Sequence, residues 1–441
     1  MPGHARAERG TGKNLSERAM LRICWFTNVP FPKGCELVGR PIPFNEGWTS
    51  SLAAALVATG QVQLLVITAV VGKGGTVTDT DGTTHMLVGL DAKQFAREVL
   101  SYPGAALRRK YLEIIAGFEP QVVHIHGSEY GYGLMVAEQD IAIPTVISLQ
   151  GFLGACYRDD SAGIPLHERL RNCGVQGMLS PASVLRGTSI PPRKLGDEMR
   201  ILRNPCVFTG RTLFDRAYLH SANPSARYCH CDETLRREFF LQERDPIRIL
   251  PHSIFAASSN HPRKGFHCLL AAVALLQKEF PEITVRVPGR KPRHSWRAGW
   301  YERYVRKLIS RWGLEDRIAF LGNLSAEGMA AELAQAHVFG YPSFVDNSPN
   351  ALAEAMLVGV PIATSYVGGI PSLVRDQESA LCFPVGDAIS MAECIRILFQ
   401  NRERAQHLAG NARKIALARH DPGRVAGKML EVYRQVLGGG L

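Results

Sequence analysis

The sequence predicts an α/β protein built as two doubly wound domains facing a cleft, and three observations lead there. The chain has 441 residues, too many for one compact core and suited to two domains of about 200 residues each. Hydrophobic residues make up 46% and charged residues 21%, a globular balance that excludes a disordered, collagen-like or coiled-coil chain. Short β-branched runs alternate with longer helical stretches from end to end, as parallel strands joined by helical crossovers require.

Residues 1–20 lack the apolar core of an export signal and are expected to form a disordered leader on a cytoplasmic protein. Strands are expected at 21–26, 62–68, 122–126, 144–149 and 226–230, then at 247–250, 283–287, 317–321, 338–341, 361–365 and 380–383. Helices are expected at 48–59, 269–280 and 326–336, where apolar residues recur at helical spacing. The charged, proline-containing stretch 238–246 divides the chain into domains of 21–242 and 243–422. Residues 423–441 hold a last helix with no strand to cross to, free to pack back on the first domain. No run reaches about 18 apolar residues, so no membrane-spanning helix is expected.

The formal net charge of +11 calls for an anionic partner. The excess is spread over both halves instead of gathered in an arm, which argues against nucleic acid. Neither G-x-G-x-x-G after a strand nor G-x-x-x-x-G-K-[ST] occurs, so dinucleotide and P-loop sites are disfavoured. The 10 cysteines form no C-x-x-C pair, and Cys229 and Cys231 flank His230 too tightly for a zinc site. They read as reduced structural thiols. Asp79-Thr80-Asp81 spells D-x-D, but DTDGTTH reads as a hairpin turn. No metal or resident cofactor is expected.

The informative block is YPSFVDNSPNALAEAMLVGVPIATSYVGGIP, residues 341–371. A strand ends at Tyr341, and a polar loop carrying Asp346 leads into a helix carrying Glu354. Free backbone N–H groups and the positive end of the dipole at that helix start favour a phosphate or a sugar hydroxyl. Glu354, about one turn in, can accept two ribose hydroxyl protons, and Asp346 can reach a second polyol. In the first half His124 and His126 alternate on one face of a strand whose end should open into the crevice, His126 being the better candidate. The basic run Arg108, Arg109, Lys110 sits on an amphipathic helix and is read as a solvated face or a contact with anionic lipid.

This block resembles the E-x7-E region of retaining glycosyltransferases of the GT-B fold, in the large group 1 family usually called GT4. The resemblance continues in HPRKGFHCLLAAVALL, VRVPG, FLGNLS and VGGIPSLV, covering nearly all of residues 247–436, and more loosely in VVHIHG, PTVISLQG and YCHCDETLRREFF. It implies two Rossmann-like domains and a metal-independent transfer of a sugar, with a UDP- or GDP-sugar as co-substrate. The acceptor it implies is a glycan or a polyprenyl-diphosphate-linked oligosaccharide in surface polysaccharide synthesis. Carried over residue by residue, Lys264, joined by Arg263, would contact the donor pyrophosphate and Glu354 the ribose. Asp346 with Asn347, Ser348, Pro349, Asn350, Ala351 and Leu352 would hold the transferred sugar and its phosphates. Gly289, Asn323 and Leu324 fall where the base lies. Asn45, Glu46 and Gly47 stand where the family has a glycine-rich loop against the phosphates, with Glu46 and Gln150 on the acceptor side. Asp346, His126 and Lys264 are the catalytic candidates.

Three positions depart from the family pattern. Asp346 stands where most members have Glu, Ser259 where they have Arg, and Gln150 where many have His. Two other readings therefore stay open: a GT-B sugar-nucleotide enzyme with a small soluble acceptor, and a catalytically weak nucleotide-sugar-binding partner of a polysaccharide assembly complex. The protein is expected in the cytoplasm, with peripheral contact at the inner face of the membrane.

Overall fold

The computed structural model describes residues 20–41, 47–99, 101–179, 181–188, 190–245, 247–293, 295–296 and 298–438. The leader lies outside these residues but for Met20, and Asn45 and Glu46 lie outside them altogether.

The first sheet is built from β1 (Leu21–Thr27), β2 (Val62–Val71), β3 (Gly75–Thr78), β4 (Thr84–Leu90), β5 (Val122–His126), β6 (Thr145–Ser148), β7 (Val207–Gly210) and β8 (Arg227–His230). Its order is β3-β4-β2-β1-β5-β6-β7-β8. All pairs are parallel except the β3–β4 hairpin. The second sheet comprises β9 (Ser253–Ala256), β10 (Thr284–Val287), β11 (Ile318–Phe320), β12 (Val338–Tyr341), β13 (Ile362–Ser365) and β14 (Leu381–Phe383). It is wholly parallel, in the order β11-β10-β9-β12-β13-β14.

Strand periodicity explains the layers. Cys24 and Phe26 enter the apolar layer on one face of the first sheet, Ile23 and Trp25 the layer on the other. In the second sheet Ile254 and Phe255 likewise point into opposite layers. Both faces are covered, as parallel sheets need.

The hairpin turn falls where the sequence placed it: Asp79 N–H donates to the Thr83 carbonyl, and the Asp79 carboxylate holds His85 Nε2 at 2.8 Å. Strands β3, β4 and β7 were not among the expected ones. The strand expected at 247–250 is instead loop, and the strand begins at Ser253. Ile247 is 92% exposed and Pro251 follows at once, whereas SIFA is buried on both faces and pairs β10 and β12.

Packing places the crossing between domains earlier than 242/243. Leu235 and Phe239 already sit in the second domain's core. The helix Pro422–Leu437 returns to the first domain, burying Val425, Met429, Leu430 and Tyr433 against the helix Gly47–Val57 and strands β5 and β6. The Tyr433 hydroxyl accepts from Trp25 Nε1 at 2.9 Å and meets His124 Nδ1 at 2.7 Å.

Candidate functional site

The loop after β12 and the turn before the helix Phe266–Leu276 meet at the carboxyl edge of the second sheet. Gly265 makes the meeting possible. Its φ is +69°, and a Cβ there would lie 1.8 Å from the Pro342 carbonyl oxygen, so only glycine lets the two backbones approach. The approach sets Lys264 Nζ 2.6 Å from Asp346 Oδ2. The Tyr341 hydroxyl donates to the same oxygen at 2.6 Å and Ser343 Oγ at 3.1 Å. Burial works against the Asp346 charge, but Lys264 overrides it and holds the carboxyl below its ordinary value. Burial likewise opposes the Lys264 ammonium, and Asp346 more than offsets it, raising the ammonium above its ordinary value. The pair stays ionised and reachable, the lysine side chain being 36% exposed.

Asn347 ties this loop to the first domain. Its amide donates to the Gln150 carbonyl at 3.4 Å and to Asp215 at 3.3 Å, and its oxygen accepts from Thr212 Oγ1 at 2.6 Å. Lys264, Asp346 and Asn347 thus line one recess with Gln150, Gly151 and Phe152 of the opposite domain. Ser348 and Pro349 carry the chain into the helix Asn350–Val358, whose start has no side-chain cap. The Asn350 side-chain oxygen is buried there without a hydrogen-bond partner among the described residues. Leu352 points into the core and Ala351 packs against it, so these two can offer a ligand only backbone.

The second sheet's carboxyl edge carries another recess. Gly289, Asn323 and Leu324 line it with Asn260, Gly322 and Arg236, and a two-way backbone bridge between Gly289 and Gly322 shapes it. Glu354, on the Asn350–Val358 helix, receives Arg236 Nε at 2.9 Å and Nη2 at 2.7 Å. Burial pushes its carboxyl up to about 7, against the pull of Arg236. Gly47 abuts the same arginine: a Cβ on Gly47 would fall 2.2 Å from Arg236 Cγ.

Arg263 lines the first recess with Lys264, its Nε paired with Asp160 of the first domain at 2.8 Å. One expected residue is placed differently. His126 does not open into the crevice. It is fully buried, stacked on His124 at 4.1 Å and packed against Trp25 and Trp48, and neither ring nitrogen has a hydrogen-bond partner among the described residues. Burial drives its basicity well below the ordinary histidine value. His124 bonds Tyr433 and Ser148 and is pushed down to about 3 by burial.

Sequence reasoning missed Arg236, Asn260, Tyr341 as a partner of Asp346, and Thr212. Arg236 lies inside the YCHCDETLRREFF segment, but nothing local separates it from Arg237.

Residues 251–415 match the family model described as Glycosyl transferases group 1. The phosphatidyl-myo-inositol mannosyltransferase of Mycobacterium leprae is 28% identical over 185 residues, 42% of this chain and 46% of that protein. The amylovoran biosynthesis glycosyltransferase AmsK of Erwinia amylovora is 27% identical over 169 residues, 37% of this chain and 39% of that protein. The chain thus spans less than half the length of these curated relatives. Among solved structures, sucrose-phosphate synthase from Thermosynechococcus elongatus superposes with a TM-score of 0.71 at 18% identity, covering 95% of this chain and 100% of the other. Anabaena HepE in complex with UDP-glucose gives 0.65 at 16% identity, covering 94% and 100%. The chain therefore has the two-domain GT-B fold, and its residues 251–415 are similar to the Glycosyl transferases group 1 family.

Proposed function

We propose that this protein is a retaining glycosyltransferase that moves a sugar from a nucleoside diphosphate donor to a glycan or lipid-linked acceptor. The observation that carries the reading is the ionised Lys264–Asp346 pair, lining a recess that both domains build. A cation there can take the charge that develops on a departing diphosphate, aided by the positive dipole end at the start of the Asn350–Val358 helix. The bond between the anomeric carbon and the β-phosphate oxygen breaks, the acceptor oxygen attacks from the leaving-group face, and its proton passes to the β-phosphate. No metal enters this scheme. Glu354 takes the ribose, Asp346 the transferred sugar, and the Gly289, Asn323 and Leu324 recess the base. The glycosyltransferase names of the relatives and the UDP-glucose bound by HepE support a nucleotide-sugar donor, for which a UDP- or GDP-sugar is proposed. Surface polysaccharide synthesis in the cytoplasm is the setting proposed. No helix among the described residues is long and apolar enough to cross a membrane.

Thermal-shift titration with UDP, GDP, ADP and their sugars tests the donor site. A ligand at a hundred times its dissociation constant adds about 2.7 kcal/mol. If no nucleotide raises the melting temperature, the donor assignment fails. A responding sugar nucleotide that is never consumed with any extract as acceptor source favours the reading as a binding partner of an assembly complex.

A further inference from the structure

We propose that the chain carries a second anion site, outside the recesses described above, which takes the phosphate of a lipid headgroup or of a soluble phosphorylated ligand. It lies between the helix Leu166–Arg171 of the first domain and the helix Trp300–Trp312 of the second. The cavity is about 630 Å³, and Arg171, Lys291, Arg303, Arg306 and Lys307 line it against Glu315.

The charge in this cavity is not neutralised from within. Arg303 is held in place by the carbonyls of Ala298, Ser295 and Trp296 at 3.1, 3.2 and 3.0 Å. Those bonds fix the guanidinium and leave its charge uncompensated. Arg306 donates to the carbonyl of Arg293 at 3.3 Å. Lys307 and Arg171 both lean on one carboxylate, Glu168, at 3.0 and 3.3 Å. Among the described residues Lys291, Arg303 and Arg306 have no carboxylate partner within ion-pair distance. Several like charges around one concavity raise its potential and favour a multiply charged anion over a lone counterion. Arginine forks and lysine ammonium groups match phosphate oxygens. The floor, formed by Ile309, Ile318 and Phe320, suits a ligand with an apolar part beside the phosphate.

The flanks point to a bilayer as the source. Leu166, Leu170 and Trp296 are 43%, 47% and 61% exposed, and tryptophan beside basic residues is the pattern of an interfacial surface. The basic run that the sequence offered for lipid contact is less suited. Arg108 there pairs with Asp140 and stacks on Tyr102.

The test uses the full-length chain and two probes: sedimentation with phosphatidylcholine vesicles with and without phosphatidylglycerol, and titration with inorganic tripolyphosphate. The wild type should bind the anionic vesicles and not the neutral ones. Lys291→Glu combined with Arg306→Glu should weaken binding by on the order of tenfold or more, since each basic residue near an anionic surface matters at about the 1 kcal/mol level. Arg109→Glu with Lys110→Glu, an equal change in net charge, should leave binding intact. Binding of tripolyphosphate that the Lys291→Glu, Arg306→Glu variant weakens, with no response to vesicles, would support the site and assign its source to a soluble phosphate. Binding of neither probe, or equal loss in the two charge reversals, overturns the proposal. The nucleotide thermal shift of each variant reports its fold, and Arg306→Gln replaces the double variant if that variant does not fold.

Discussion

Arg236 places Nε and Nη2 on the same oxygen of Glu354, at 2.9 and 2.7 Å, joining the segment that links the domains to the helix that follows the Asp346 loop. The carboxylate assigned to the ribose is therefore already occupied by a guanidinium that lines the recess proposed for the base. A nucleotide must share or displace that contact. The side chains of Arg236 and Glu354 are 16% and 6% exposed, so breaking the pair from one side leaves a buried polar group without its partner. Arg236→Gln should lower unfolding free energy by roughly 3 kcal/mol, and Arg236→Gln with Glu354→Gln should recover part of it. Urea denaturation of the single and double variants gives the coupling. Additive losses would show that the pair is not coupled.

Lys264 is the cation proposed to face the leaving group. Lys264→Ala should reduce kcat by about 10²–10³-fold, the range for removing one preorganised electrostatic group, while Lys264→Arg should retain more activity than the alanine variant. Steady-state turnover with the donor found by thermal shift decides this. Unchanged kcat in Lys264→Ala would remove Lys264 from the chemistry.

Gly265 should tolerate no side chain. Gly265→Ala combines a left-handed backbone with a Cβ 1.8 Å from the Pro342 oxygen, and the Lys264–Asp346 contact depends on that approach. Gly313, at φ +62° with nothing within 4 Å of its Cβ, isolates the backbone cost alone. Gly313→Ala should cost about 1 kcal/mol, and Gly265→Ala clearly more, with a fall in activity that Gly313→Ala does not share. Equal melting temperatures for the two variants would contradict the close approach.

Glu198 should make stability fall with rising pH. It is buried, accepts from the Leu153 N–H at 3.0 Å, and is pushed up to about 7 by burial despite that hydrogen bond. Below the unfolded value near 4.5 the carboxyl is protonated in both states. Between 4.5 and 7 the folded protein keeps a proton that the unfolded chain has lost, so stability drops by at most ~1.4 kcal/mol per pH unit, and above 7 the loss is complete. Buried histidines such as His124, pushed down to about 3, act oppositely, losing stability as pH falls below 6.5. The clean measurement is therefore a difference: the melting temperature of Glu198→Gln minus that of the wild type should rise from pH 4.5 to 7 and then level off. A flat difference would falsify the assignment.

The repeating pattern of short apolar strands and amphipathic helices determined, by itself, that this chain folds as two parallel α/β domains, because a strand buried on both faces must be apolar throughout and a crossover helix on one side only. The Asp346 to Glu354 spacing and the Lys264-Gly265 pair were also legible, since both lie within single loop-helix units where local geometry decides position. Tertiary structure alone decided the rest. Ile247 to Leu250 has strand-like composition, yet β9 forms six residues later because only SIFA finds partners on both sides. His126 alternates toward a strand end but is closed in by Trp25 and Trp48. Arg236 reaches Glu354 across 118 positions, and the cations of the Trp300–Trp312 helix meet Arg171 across more than 100. Contacts of that separation depend on how the packed elements meet, which no local pattern encodes.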